Sequence, residues 1–480
     1  MQELINLNSK RVFDYFLEMS KIPHGSGNME KISNYCVEFA KSHSLRYFID
    51  DAKNVIIYKN ATAGYEDSAP VILQGHLDMV CQKTPDCDID FLNDSLKVYL
   101  DGEYLKAKNT TLGADNGIAG AMIFAILDND EIHHPEIQAV FTTDEEIGMV
   151  GAAAMDMSKL TAKQMINLDS EDEGVVTVSC AGGADFKTVL SVKRENISGT
   201  ALKITLFGLL GGHSGVDINK HRVNADILTG RILNKMSTEF DFKLISVNGG
   251  DKSNAIANRC EIELVVNDTD EFIKAFNSYA EIIKNEIGFY EKGFKWDIAA
   301  LKTGEFAVMD SISQNKVIFM LCCLPNGILE MSAEIENLVE TSLNLGILKT
   351  ENKSVIIQQA LRSNKESALN ALISKMECFA KSIGAFYETS GFYPPWEYRS
   401  ASHLRELYTD VYKKVFGIDS KSEAIHAGLE CAMFASRIKD IDCIAIGPTL
   451  LDVHTVNERA NIYSIDRTYT LLLEILRGLK

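Results

Sequence analysis

The first forty residues carry two helical patterns of apolar positions, near 9–20 and 28–43. Short strand-like runs follow in "LRYFID" and "NVIIYKN", and then "APVILQG", whose apolar residues run on without alternation, as in a strand buried on both faces. After "NTTLGADNG" comes "IAGAMIFAILDN", small and apolar enough for a buried helix, and "EIQAVFTT" and "QMINLD" read as further strands. This alternation predicts an α/β fold, a sheet flanked by helices, over residues 1–186.

From about 187 to 392 the texture changes. Strand-like "FKTVLSV", "ALKITLFG" and "CEIELVV" mix with long helical stretches such as "EFIKAFNSYAEIIKNEIG". A second set, "GILEMSAE" and "KSVIIQQALRS", echoes the first, which predicts an inserted α+β domain of two lobes. The prolines of "SGFYPPWEY" exclude helix and mark a linker. Residues 393–480, with the strand "CIAIGPT" and a C-terminal helix, resume the α/β pattern, so the first domain is expected to be discontinuous.

The chain has 480 residues, long enough for two to three domains, and a net charge of -19. That charge, without a basic patch, argues against nucleic acid and anionic membranes as partners. No apolar stretch reaches the length of a membrane span and the start lacks a signal-peptide pattern, so a cytoplasmic protein is expected. Ten cysteines occur without any C-x-x-C pair, and the adjacent Cys322 and Cys323 lie in the apolar run "VIFMLCCLP". Reduced core thiols are expected.

Against that frame the acids and histidines stand out by position. His76 and Asp78 follow "VILQG"; Asp144, Glu145 and Glu146 follow "AVFTT"; Asp169 follows "INL"; His454 follows "CIAIGPTLLDV"; Asp115 precedes the buried helix. Ligands of open α/β sheets collect beyond the carboxyl ends of strands. Any one of these groups alone reads as a solvated turn or, for "ADNG", a helix cap. Together His76, Asp115, Glu146, Asp169 and His454 compose a two-metal site suited to Zn²⁺, with Co²⁺ or Mn²⁺ as substitutes. Three carboxylates against two divalent ions leave about one positive charge, which a bridging hydroxide would neutralise. Asp78, two residues past His76, is placed to orient that ring.

The segments "GHLDMV", "NTTLGADNGIAGA", "TTDEEIGMVGA", "NLDSEDEG", "GLLGGHSG" and "GPTLLDVHTVNE" cover essentially the whole chain. In them the sequence resembles the aminoacyl-histidine dipeptidases, a group within the di-zinc exopeptidases related to aminoacylase and carboxypeptidase G. The resemblance implies a catalytic domain with a mixed sheet and an inserted lid or dimerisation domain. It further implies one metal on His76 and Asp169, another on Glu146 and His454, Asp115 bridging, Glu145 as general base and Asp78 as orienter of His76. Asp rather than Glu at 169 sides with dipeptidases. The expected reaction is hydrolysis of unblocked dipeptides, Xaa-His and carnosine-like peptides among them.

In the inserted domain, His213 of "GLLGGHSG" is the candidate for oxyanion stabilisation, in its own chain or, if the protein is a homodimer, across it. Arg362 is the candidate for the substrate carboxylate, with Asn254 as a donor. His426 and Glu430, in "AIHAGLECAMF", are further substrate-binding candidates, Glu430 being either the receiver of the substrate amine or a helix-surface acid. Two alternatives stay open: an N-acyl amino acid amidohydrolase, and a metal-dependent peptide-binding protein without catalysis. His133 and His134 lack helical zinc spacing, and the glycine runs lack a nucleotide-loop pattern.

Overall fold

In the computed structural model, which describes residue 4 and residues 7–480, the run VILQGH forms the strand Val71–His76, buried at every position. Its burial follows from its neighbours: Ile137–Thr142 and Gln164–Asn167 flank it, both parallel, and the helix Ala114–Leu127 packs on it. That helix is itself almost wholly buried and also packs on Lys10–Met19. Among the described residues the sheet order is Arg46–Ile49, Val55–Lys59, Ile137–Thr142, Val71–His76, Gln164–Asn167, Asp442–Ala445, Val175–Cys180, Lys421–Ile425. The edge at Arg46–Ile49 is antiparallel, and Asp442–Ala445 runs parallel to Gln164–Asn167. Four strand carboxyl ends therefore emerge on one side of a mixed sheet.

The chain divides into two compact units. One comprises Met1–Cys180, Tyr398–Ala424 and Leu429–Lys480; the other Ala181–Glu397 and Ile425–Gly428. Each has its own core, Phe16, Phe124, Phe141 and Ile475 belonging to the first and Phe186, Phe242, Phe272 and Met376 to the second. The breaks differ from the expected 187 and 392. The strand begun by "FKTVLSV" starts earlier, at Gly182. The anticipated linker is partly strand, Phe386–Tyr393, whose Tyr393 pairs with Gly183, so entry and exit of the second unit lie side by side.

The two similar strand-and-helix sets of the second unit belong to one antiparallel sheet rather than to separate sheets. They meet where Phe242–Gly249 pairs with Val339–Thr350, at Gly249 and Leu348. Joining two edges there satisfies backbone groups that separate lobes would leave open. Cys322 and Cys323 are exposed rather than in the core, because the helix Ser311–Cys323 ends just past its buried Met320 and Leu321. Among the described residues no helix is long and apolar enough to cross a membrane.

Candidate active site

The strand ends bring the expected groups together. His76 closes its strand in register with Thr142, which places it beside the turn that carries Asp144, Glu145 and Glu146. Gly75 permits this: a Cβ there would lie 2.4 Å from Asn116 Oδ1 and 2.8 Å from the Ala119 side chain. The helix that bears Asp115 thus packs directly against the strand that bears His76. Asp115 stands at the centre, with Oδ1 3.2 Å from His76 Nε2 and Oδ2 3.0 Å from His454 Nε2. Beyond His76 lies Asp169, 3.6 Å from Nε2; beyond His454 lies Glu146, 3.0 Å from Nε2.

The result is a chain of donors, Asp169, His76, Asp115, His454, Glu146, in which one carboxylate faces two imidazoles. Ligand atoms of His76, Asp115 and Glu146 all lie within 4.8 Å of one another, the spacing of a metal centre. Asp169 and His454 are not part of that group of three. His76 Nδ1 donates to the main-chain oxygen of Asp78 at 2.9 Å, which turns Nε2 toward Asp115 and Asp169. Glu146 Oε1 is buried without a hydrogen bond although His454 is near, a donor atom suited to a cation.

The role expected of Asp78 is divided. Its carbonyl orients the ring, while its carboxylate, 3.5 Å from Nδ1, accepts the N–H groups of Glu145 at 2.9 Å and Glu146 at 3.2 Å and the Ser26 hydroxyl at 2.8 Å. Asp144, which had no expected role, accepts the Gly27 N–H at 2.6 Å. Asp144 and His454 both have left-handed φ, 54° and 61°, strain that the surrounding bonds must hold.

Charge in the cluster is demanding. Burial alone would push Asp115 up, but the hydrogen bonds from His454 and His76 hold it well below the usual carboxylate range. His454 is raised to about 11 by its hydrogen bond to Asp115 and by the Glu146 carboxylate 3.0 Å away. Burial would lower His76, yet Asp169, Asp115 and Asp78 raise it well above its ordinary value. The carboxylates thus draw positive charge onto both imidazoles, the charge that two cations would supply. Glu145 is pushed well up by burial and by repulsion from Asp169, Glu430 and Glu146, against the pull of His76. Glu146 and Asp169 are also raised, chiefly by burial.

Glu430 is fully buried, not a helix-surface acid, and not an open receiver of a substrate amine. Its Oε2 accepts Gln74 Nε2 at 2.5 Å and Thr142 Oγ1 at 2.6 Å, and burial raises it to about 7. Gln74 and Thr142 belong to the strands that end at His76 and before the Glu145 turn, so Glu430 ties these strands together.

In the second unit a separate polar group forms around Arg362. The guanidinium side chain is buried, donates to Tyr393 Oη at 2.9 Å and to Ser214 Oγ at 3.4 Å, and among the described residues has no carboxylate within ion-pair distance. His213 Nδ1 accepts the N–H groups of Gly215 and Val216, both at 3.2 Å, so its proton resides on Nε2. Burial and the Arg362 charge lower His213 to about 4, which keeps it a neutral donor. His426 is buried between Ser342 Oγ at 2.7 Å and Asn364 Oδ1 at 3.1 Å, and burial with Arg362 lowers it to about 3. Asn254 is exposed, and its main-chain oxygen accepts the Ser214 N–H at 2.8 Å. Sequence reasoning gave no role to Ser214 and Glu458, although they lie within the segments "GLLGGHSG" and "GPTLLDVHTVNE", nor to Ser342, Asn364 and Tyr393.

The pattern of peptidase family M20/M25/M40 matches residues 72–478, a span holding every member of the donor chain. The chain belongs to this family. As an M20 peptidase it is a hydrolase of peptide bonds. It is 36% identical over 99% of both chains to the cytosol non-specific dipeptidase of Escherichia coli (strain K12). The structure of aminoacylhistidine dipeptidase from Vibrio alginolyticus matches this M20 peptidase with a TM-score of 0.90 and 35% identity, covering 100% of this chain and 99% of that one. An aminopeptidase structure from Bacillus cereus, at TM-score 0.56 and 17% identity over 98% of this chain and 99% of that one, shares the fold.

Proposed function

We propose that this M20 peptidase is a cytoplasmic, dinuclear metal-dependent dipeptidase acting on unblocked dipeptides, Xaa-His included. The observation that carries the reading is Asp115, with one carboxylate oxygen toward each of two histidines and a further carboxylate beyond each. His76 and Asp169 would hold one ion, Glu146 and His454 the other, and Asp115 both. The imidazole and carboxylate donor set suits Zn²⁺, with Co²⁺ or Mn²⁺ as substitutes. Such ions, when bound, acidify a coordinated water and polarise a carbonyl.

The remaining work falls to the chain itself. The Glu145 carboxylate makes no hydrogen bond among the described residues, while its main chain is held by Asp78; it takes the proton of the attacking water and passes it to the leaving amine. Neutral His213 donates Nε2–H to a developing oxyanion. Arg362, a buried cation without an acid partner among the described residues, takes the substrate carboxylate.

The test uses apo protein reconstituted with Zn²⁺, Mn²⁺ or Co²⁺ and assayed on Ala-His against N-acetyl-His. Cleavage of the free dipeptide alone is expected. Preference for the blocked substrate would make it an amidohydrolase, and no turnover of either with metal bound would make it a binding protein.

A further inference from the structure

The turn before the helix Ala114–Leu127 is held by a side chain far away in sequence. Glu458 is buried, 3% exposed. Its Oε2 accepts the N–H of Leu112 at 2.6 Å and of Gly113 at 3.1 Å; its Oε1 accepts those of Ala114 at 2.8 Å and Asp115 at 3.3 Å. Four consecutive backbone donors thus converge on one carboxylate. The helix has no side-chain cap of its own, because its N-cap residue is Gly113, in the left-handed region at φ 69°. A Cβ at that position would also lie 2.8 Å from Met79 Sδ.

The other end of the link is equally constrained. Glu458 lies four residues past His454, in a loop closed by Glu458 N–H to Thr455 O at 3.1 Å and Thr455 Oγ1 to Asp452 O at 2.7 Å. Immediately afterwards Arg459–Asn461 pairs with Leu450–Leu451 on one side and with Tyr104–Lys106 on the other. One carboxylate therefore connects the loop that presents His454 to the backbone that presents Asp115. The side chains of those two residues meet at 3.0 Å.

We propose that Glu458 is a positioning residue of the metal centre, setting the distance between Asp115 and His454 by clamping the 112–115 turn to the 454–458 loop. Outer groups that orient metal ligands typically contribute 10- to 100-fold in metal affinity. Glu458→Gln keeps the shape but turns an amide N–H₂ toward backbone N–H donors, so the clamp fails. Glu458→Asp keeps the charge but is one methylene too short to span all four donors.

The inference rests on the reading of Asp115 as a shared metal ligand, and the experiment separates the two. Zn²⁺ and Co²⁺ affinities of the apo protein are measured by chelator competition at 25 °C for the wild type, Glu458→Gln, Glu458→Asp and Asp115→Asn, with folding checked by circular dichroism. The expected result is about 10- to 100-fold weaker binding in Glu458→Gln and partial recovery in Glu458→Asp. A plain helix cap would lower the melting temperature and leave affinity at 25 °C unchanged. Wild-type affinity in whichever Glu458 variant folds overturns the positioning role. Wild-type affinity in Asp115→Asn overturns instead the reading of the metal site.

Discussion

A buried guanidinium without an acid is costly to keep, and Arg362→Met tests what it is kept for. In the free protein the side chain has neutral partners, Tyr393 and Ser214, and no carboxylate among the described residues. Its removal breaks no ion pair, so stability should stay level or rise by about 1 kcal/mol, the behaviour of a buried charge replaced by an apolar group. Binding should move the other way. A bidentate pair with a substrate carboxylate consists of two charge-assisted hydrogen bonds at about 1.5–3 kcal/mol each, about 3–6 kcal/mol together. At 1.4 kcal/mol per decade this is a loss of about 10²- to 10⁴-fold in kcat/KM.

The assay compares Ala-His with Ala-histidinamide, which lacks the carboxylate. The wild type should discriminate between them by that factor, the variant hardly at all, and metal content should be unchanged. Loss of the Arg362 charge should also raise the pKa of His213 and His426, both of which it lowers, as followed by ring-proton shifts. Equal discrimination by wild type and variant would refute carboxylate binding at Arg362. A melting temperature lower by several degrees would show that the bonds to Tyr393 and Ser214 outweigh the cost of burying the charge.

Glu145→Gln and Glu146→Ala should divide cleanly: the first loses about 10²- to 10⁴-fold in kcat with both ions retained, the second loses metal, and elemental analysis beside kinetics tells them apart. The buried His426 predicts an acid limit on stability. Above pH 6.5 it is neutral both folded and unfolded; between 6.5 and about 3 only the unfolded chain binds the proton, so stability falls as pH falls. At pH 5 this one group costs about 2 kcal/mol, from 1.36 kcal/mol per pH unit below 6.5. His426→Asn should flatten the slope of denaturation midpoint against pH between 6.5 and 4, and an unchanged slope would assign the acid sensitivity elsewhere.

The donor chain was legible in the sequence because parallel, buried strands announce themselves as apolar runs and the residue after such a run must lie at the strand's carboxyl end. His76, the 144–146 acids and Asp169 follow directly from that rule, and Asp115 from the helix it precedes. The same local reasoning could not see Glu430 as a buried tie, since a helix-start acid looks alike whether Gln74 and Thr142 cover it or water does. Nor could it separate the two tasks of Asp78, whose carboxylate meets Glu145 and Glu146 across 67 and 68 residues of chain.

What the sequence by itself determined is therefore the candidate donor residues, the strand ends that carry them and the insertion of a second unit, all of which depend on periodicity and neighbours in the chain. Tertiary structure alone decided that the two halves of the inserted unit share one sheet, that Arg362 is a cation without an acid among the described residues, and that Glu458 grips the backbone of Asp115 from 343 residues away. The physical reason is common to these. Each is a matter of where a hydrogen bond or a charge finds its partner, and partners distant in sequence leave no periodic trace.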